Sequence, residues 1–206
     1  MYQYFLQNVP LSRIRHNDLS CYVAEGFGGA PVEAWPIHTF FKQYIAGEKE
    51  VAQENFEKWY KEQLEKYQYV PKAEGGMYEG SLYQFIEKHC KAPFSEVKED
   101  CKNSAIRLRV AQRFQLLEDI KKRGYKMAET ERIDAVRKNG FFYLKGGHHR
   151  VALLFALGWR ELPGVLVFSN QLLYNLFCFL RNNLSTKNFP TKKVLQKTKV
   201  KILKWF

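Results

Sequence analysis

The stretch "YLKGGHHRVALLFALGW", residues 143–159, gathers a lysine, two glycines, two histidines and an arginine between an aromatic run and an apolar one. A turn from strand into helix leaves backbone N–H groups without helical acceptors at the positive end of the helix dipole, and glycine lets an anion approach them closely. Gly146 and Gly147 suit that part. His148, His149 and Arg150 then fall in or near the first helical turn, where positive side chains oppose the dipole and need something to balance them. A phosphate would do so: arginine offers a planar fork of donors, Lys145 a point charge, and an imidazole either donates to phosphate oxygens or moves a proton near neutral pH. The other reading is structural, with one histidine facing the core and Arg150 paired to Glu161 or Asp134. The turn alone leaves both open.

Elements on either side must position it. "RIDAVRKNGFFYL" predicts two short strands around Asn139-Gly140, a strong hairpin signal. After "KGG", Val151, Leu154, Phe155 and Ala156 form the apolar stripe of a helix stopped by Gly158, and "LPGVLVF" is a buried type of strand. Upstream, residues 108–123 place Val110, Phe114, Leu117 and Ile120 at helical spacing, with three basic residues in the last turn and Gly124 as the stop. Residues 49–67 carry Ala52, Phe56, Trp59, Tyr60, Leu64 and Tyr67 on one helical face, which predicts core packing. Ser81 and Gln84 form a capping box for a helix that turns Leu82, Phe85, Ile86 and His89 inward. "YFLQNVPLSRIR" opens the chain as a strand followed by a short alternation.

The set "LLEDIKKRG", "IDAV", "GGHHRVA" and "LGWRELPGVLV" resembles the core of the ParB/sulfiredoxin superfamily. That core has a glycine, two variable positions and an arginine, then a small residue on the same helix, a glycine ending it and a proline-containing strand. Here those are Gly147, Arg150, Ala152, Gly158 and Pro163, and "VPLSRIR" is similar to the family's opening strand. The resemblance implies an α+β fold: a small mixed sheet with helices over residues 1–16 and 108–169, a mainly helical insertion over 17–107, and a short helix with a basic tail over 170–206. It also implies a nucleotide site, with ATP or CTP and Mg²⁺, in which Lys145, Gly146, Gly147, His148, His149 and Arg150 hold phosphates. Sulfiredoxin chemistry needs a cysteine where His148 stands, and partition proteins continue into a helix-turn-helix for which the remaining chain is too short. What remains is nucleotide binding with phosphotransfer to a small molecule, or nucleotide hydrolysis, in which His148 or His149 moves the proton.

A phosphotransferase also needs a carboxylate. The candidates are Glu33, beside His38 in "APVEAWPIH", Glu74 and Glu79 around the glycines of "EGGMYEGS", and Asp134. Helix capping explains the glycine-rich segment nearly as well. No metal-ligand spacing is present, and His16 and His89 read as structural. The four cysteines lack any CxxC pattern, which predicts reduced thiols, and "MYQYFLQNVP" has neither the basic start nor the apolar run of a signal peptide, which predicts a cytoplasmic location.

Charge divides the chain unevenly. Of the formal +12, Arg181, Lys187, Lys192, Lys193, Lys197, Lys199, Lys201 and Lys204 contribute the part beyond Glu161, the last acidic residue. Such a tail suits nucleic acid, an anionic membrane surface or plain solvation. A nucleic-acid-binding protein using residues 181–206 is the alternative to the nucleotide reading. Residues 162–180 are uncharged, but Pro163, Gly164 and "SNQ" at 169–171 divide them, so an interfacial helix over 172–184 is expected in place of a membrane span.

Overall fold

Side-chain alternation along one strand sets the layering of the computed structural model, which describes residues 4–16, 29–66, 82–125 and 133–183. Strands β1 (Tyr4–Pro10), β2 (Ile14–Arg15), β3 (Asp134–Lys138), β4 (Phe141–Leu144) and β5 (Glu161–Phe168) form one mixed sheet in the order β1-β5-β3-β4-β2. β5 is antiparallel to β1 and parallel to β3, β3 and β4 form a hairpin, and β2 joins β4 in parallel. Val165 and Val167 of β5 enter the large core, while Leu166 and Phe168 turn to the opposite face.

The first face carries α1 (Pro36–Ile45), α2 (Lys49–Lys66), α3 (Leu82–Cys90), α4 (Glu99–Arg123) and α5 (His148–Ala156). Their buried side chains join a single apolar cluster: Phe41, Phe56, Ile86, Val110, Leu117 and Leu153 share it with Leu144 and Leu162 of the sheet. Residues inside the expected insertion therefore share one core with the strands. The second face is covered by α6 (Gln171–Asn183), through Leu173, Tyr174 and Phe177 on Val136, Leu166 and Phe168. The fold is thus mixed α+β.

Local signals account for most boundaries. Asn139 and Gly140 both have positive φ, 51° and 79°, the pair that a two-residue hairpin requires. Pro36 at the first position of α1 supplies a preset φ and lacks only an N–H that would go unpaired there. Three expectations are corrected. α4 begins at Glu99 instead of 108, because Glu99 and Asp100 favour its N-terminal dipole and Ala105 and Ile106 extend the buried face by another turn. His89 is exposed, not inward, and lies beside Ser104 (3.5 Å). Cys90 and Cys101 are not free thiols: a disulfide ties the end of α3 to the first turn of α4. Tyr67, Ser81 and the glycines of 75–80 lie outside the described residues, and so does the tail from 184 onward.

Candidate functional site

The turn sits where the hairpin hands over to α5. Lys145 donates its backbone N–H to the Asp134 carbonyl (2.9 Å), and α5 opens with Val151 N–H on the Gly147 carbonyl (3.0 Å). Gly147 is the N-cap, with φ 79° and ψ 15°; no side chain caps the helix and its first turn holds no acid. The backbone there is left-handed, and a Cβ would fall 2.9 Å from Cγ1 of Ile133. Gly146 is different, since a Cβ on it meets nothing within 4 Å. The first-turn amides of α5 therefore begin at an open glycine, with no capping oxygen before them.

The two histidines enter different surroundings. His148 stacks on His16 with 4.5 Å between ring centroids and lies 5.6 Å from Trp35. The residue as a whole keeps partial exposure, yet its Nε2 is buried with no hydrogen-bond partner. Burial above all, then the charges of His16 and Lys145, lowers its pKa to about 3. At neutral pH it is an uncharged imidazole, fit to donate one hydrogen bond and too weak a base to exchange protons. The expected proton-transfer role does not suit such a group.

His149 points to the helical layer, its Nε2 2.9 Å from the hydroxyl of Tyr60 on α2 and its ring stacked on Phe56. Arg109 and Arg113 of α4 also hydrogen-bond the Tyr60 side chain, and burial raises the Tyr60 pKa in spite of them. Guanidinium groups can only donate, so the Tyr60 oxygen accepts from them and passes its own proton toward His149 Nε2. That fixes the His149 proton on Nδ1. Burial, followed by the charges of Arg113, Arg109 and His148, holds its pKa well below the ordinary histidine value. Tyr60→Phe is expected to leave Nε2 without its donor and the arginines without an acceptor, costing about 1–3 kcal/mol in a urea unfolding experiment.

The other sequence candidates divide. Arg150 follows the histidines into the first turn of α5 and is half-buried. Lys145 contributes charge at His148, but its ammonium stands over the Tyr174 ring at 5.6 Å, on the α6 side of the sheet. Asp134 adjoins the turn through its main chain. Glu33 is exposed and its charge acts on His38, whose ring packs on Phe155, about 10 Å along α5 from His148. Burial lowers the His38 pKa in spite of Glu33. Glu74 and Glu79 lie outside the described residues. Among the described residues no cluster of three or more His, Cys, Asp or Glu could hold a metal ion. A concavity of about 500 Å³ lined by Asn8, Trp159, Arg160, Glu161 and Pro163 lies at the start of β5. The turn adjoins the Leu166 end of that strand, through Asp134.

Arg109, Arg113 and Tyr60 are candidates that the sequence does not single out. Their sequence signal was two arginines one turn apart beside the stripe of Val110 and Phe114, and a tyrosine within an apolar face. What they add is electrostatic: the charges of Arg109 and Arg113 on α4 reach His149 in the first turn of α5, and Nε of Arg113, like Nε2 of His148, is buried without a partner. The arrangement suits an anion that several donors share. Comparison with family models, curated proteins and solved structures found no match for the chain.

Proposed function

We propose that this protein binds a nucleoside triphosphate, ATP or CTP, with its phosphates at the turn from Gly146 to Arg150, on a core of the ParB/sulfiredoxin type. The order β1, α4, β3–β4 hairpin, α5 and β5 supports the core, since it is the order in which the motifs of that superfamily occur. One observation carries the site: an uncapped α5 N-terminus with no acid in its first turn, beside two arginines of a neighbouring helix and a buried imidazole nitrogen that lacks a partner. In this reading the open backbone of Gly146 lets a phosphate approach, Arg150 clasps it in a bidentate fork, and neutral His148 donates to an oxygen. Mg²⁺ would come with the nucleotide and would supply further neutralisation of phosphate charge. Transfer of the terminal phosphoryl group to a small acceptor would then rest on charge neutralisation and positioning, which is most of what such reactions need from a protein.

The test is a thermal-shift panel of ATP, CTP, GTP and UTP, with and without Mg²⁺, on the wild type and on Arg150→Ala. A nucleotide at a hundredfold excess over its dissociation constant should stabilise the protein by about 3 kcal/mol, and Arg150→Ala should abolish the shift. An unchanged shift in Arg150→Ala would move the phosphates elsewhere. No shift with any nucleotide would remove the reading.

A further inference from the structure

The outer face of α6 is the other unexplained feature. On this helix Leu173, Tyr174 and Phe177 pack inward, while Leu172 is 74% exposed, Phe179 63% and Leu176 43%. At helical spacing these three lie within an arc of about 60°, so they form one continuous stripe along the side turned away from the sheet. Gln171 and Asn175, hydrogen-bonded to each other at 2.7 Å, flank it. Scattered exposed leucines need no explanation, but an aligned stripe of large apolar residues on a helix already anchored by its other face does. No helix among the described residues is long and apolar enough to cross a membrane. The chain leaving α6 supplies a second, independent observation: Arg181 in its last turn and seven lysines after it, with no acidic residue beyond Glu161.

We propose that α6 seats this protein on the surface of an anionic lipid bilayer. The helix lies in the plane of the interface with Leu172, Leu176 and Phe179 in the headgroup and acyl boundary, and the lysines beyond it meet the lipid phosphates and carboxylates. Charge selects this occupant over a second copy of the chain, because two such tails brought together would repel. Seating leaves the fold intact, since the inward residues of α6 keep their places on Phe168 and Val136. The proposal is independent of the nucleotide reading, and α5 lies on the other face of the sheet.

The experiment is co-sedimentation of the full chain with vesicles of phosphatidylcholine, with and without phosphatidylserine. The wild type is expected to bind only the vesicles containing phosphatidylserine, and to release as salt rises. Leu172→Ser, Leu176→Ser and Phe179→Ser together should weaken that binding by roughly tenfold or more, and neutralising Lys192, Lys193, Lys197 and Lys199 to Gln should weaken it on the order of a hundredfold. As a readout that does not depend on lost binding, Phe179→Trp should shift its emission to the blue on these vesicles and be quenched by brominated acyl chains. Absence of wild-type binding overturns the proposal. So does equal binding by the triple serine variant, or a lipid-free dimer that this variant dissolves.

Discussion

Gly147→Val is expected to destabilise the protein by about 3–4 kcal/mol, whereas Gly146→Ala should cost less than about 1 kcal/mol. The sequence gives these neighbours the same part, and the backbone separates them. At Gly147 the chain is left-handed, which costs an L-residue roughly 1–2 kcal/mol before any contact is counted. The first atom of a side chain would meet Ile133 Cγ1 at 2.9 Å, and Ile133 is fully buried beneath the turn, so relief requires a shift in the core. A β-branched residue is the hardest to accommodate there. Urea unfolding of both variants beside the wild type measures the difference. Gly146→Ala then becomes the functional probe, because it keeps the fold while adding a methyl where the phosphate is proposed to rest. It should keep wild-type stability without ligand and lose much of the nucleotide-induced stabilisation. If it retains all of that stabilisation, the phosphate does not lie on this backbone.

What the sequence made legible follows the range of the forces involved. The hairpin at Asn139-Gly140, the stop at Gly158 and the helix expected over 49–67 are set by residues within one turn of themselves, and each stands where the local signal put it as far as the described residues reach, the last helix to Lys66. The start of α4 did not, because its first turns bury only Ala105 and Ile106 and are pinned by a disulfide partner eleven residues away. Candidate site residues divide in the same way. The turn from Gly146 to Arg150 is contiguous and could be found by its chemistry, but Tyr60 is eighty-nine residues from the histidine it bonds, and only the packing of α2 against α4 and α5 brings them together. Glu33 is an acid whose partner the sequence does not disclose: its charge acts on His38, which packs on Phe155 toward the C-terminal end of α5. Protonation state is the least legible of all. Side by side in sequence, His148 and His149 look like a general base and its neighbour, and burial makes both neutral.

That neutrality sets the second large effect: the protein should lose about 2 kcal/mol of stability between pH 7 and pH 5, and about 3 kcal/mol by pH 4, from His148 alone. Its folded pKa, about 3, lies below the ordinary value of 6.5, so between these limits the unfolded chain takes up the proton first. Stability is full above 6.5 and falls with pH until the folded pKa is reached. His149 and His38, lowered mainly by burial, act in the same direction. Urea midpoints measured across this range should show the slope, and His148→Gln, which cannot ionise, should flatten it whatever its effect at pH 7. A flat wild-type profile would mean that His148 is solvated. The same linkage reports on the ligand. A phosphate beside Nε2 would favour the imidazolium and raise the His148 pKa, so binding near pH 5 to 6 should draw a proton from solution. Calorimetric titration of the nucleotide in buffers of different ionisation enthalpy measures that uptake directly. Uptake that disappears in His148→Gln places the anion at the start of α5; binding without uptake places it beyond the reach of this histidine, with Arg109 and Arg113 left as the cations to test.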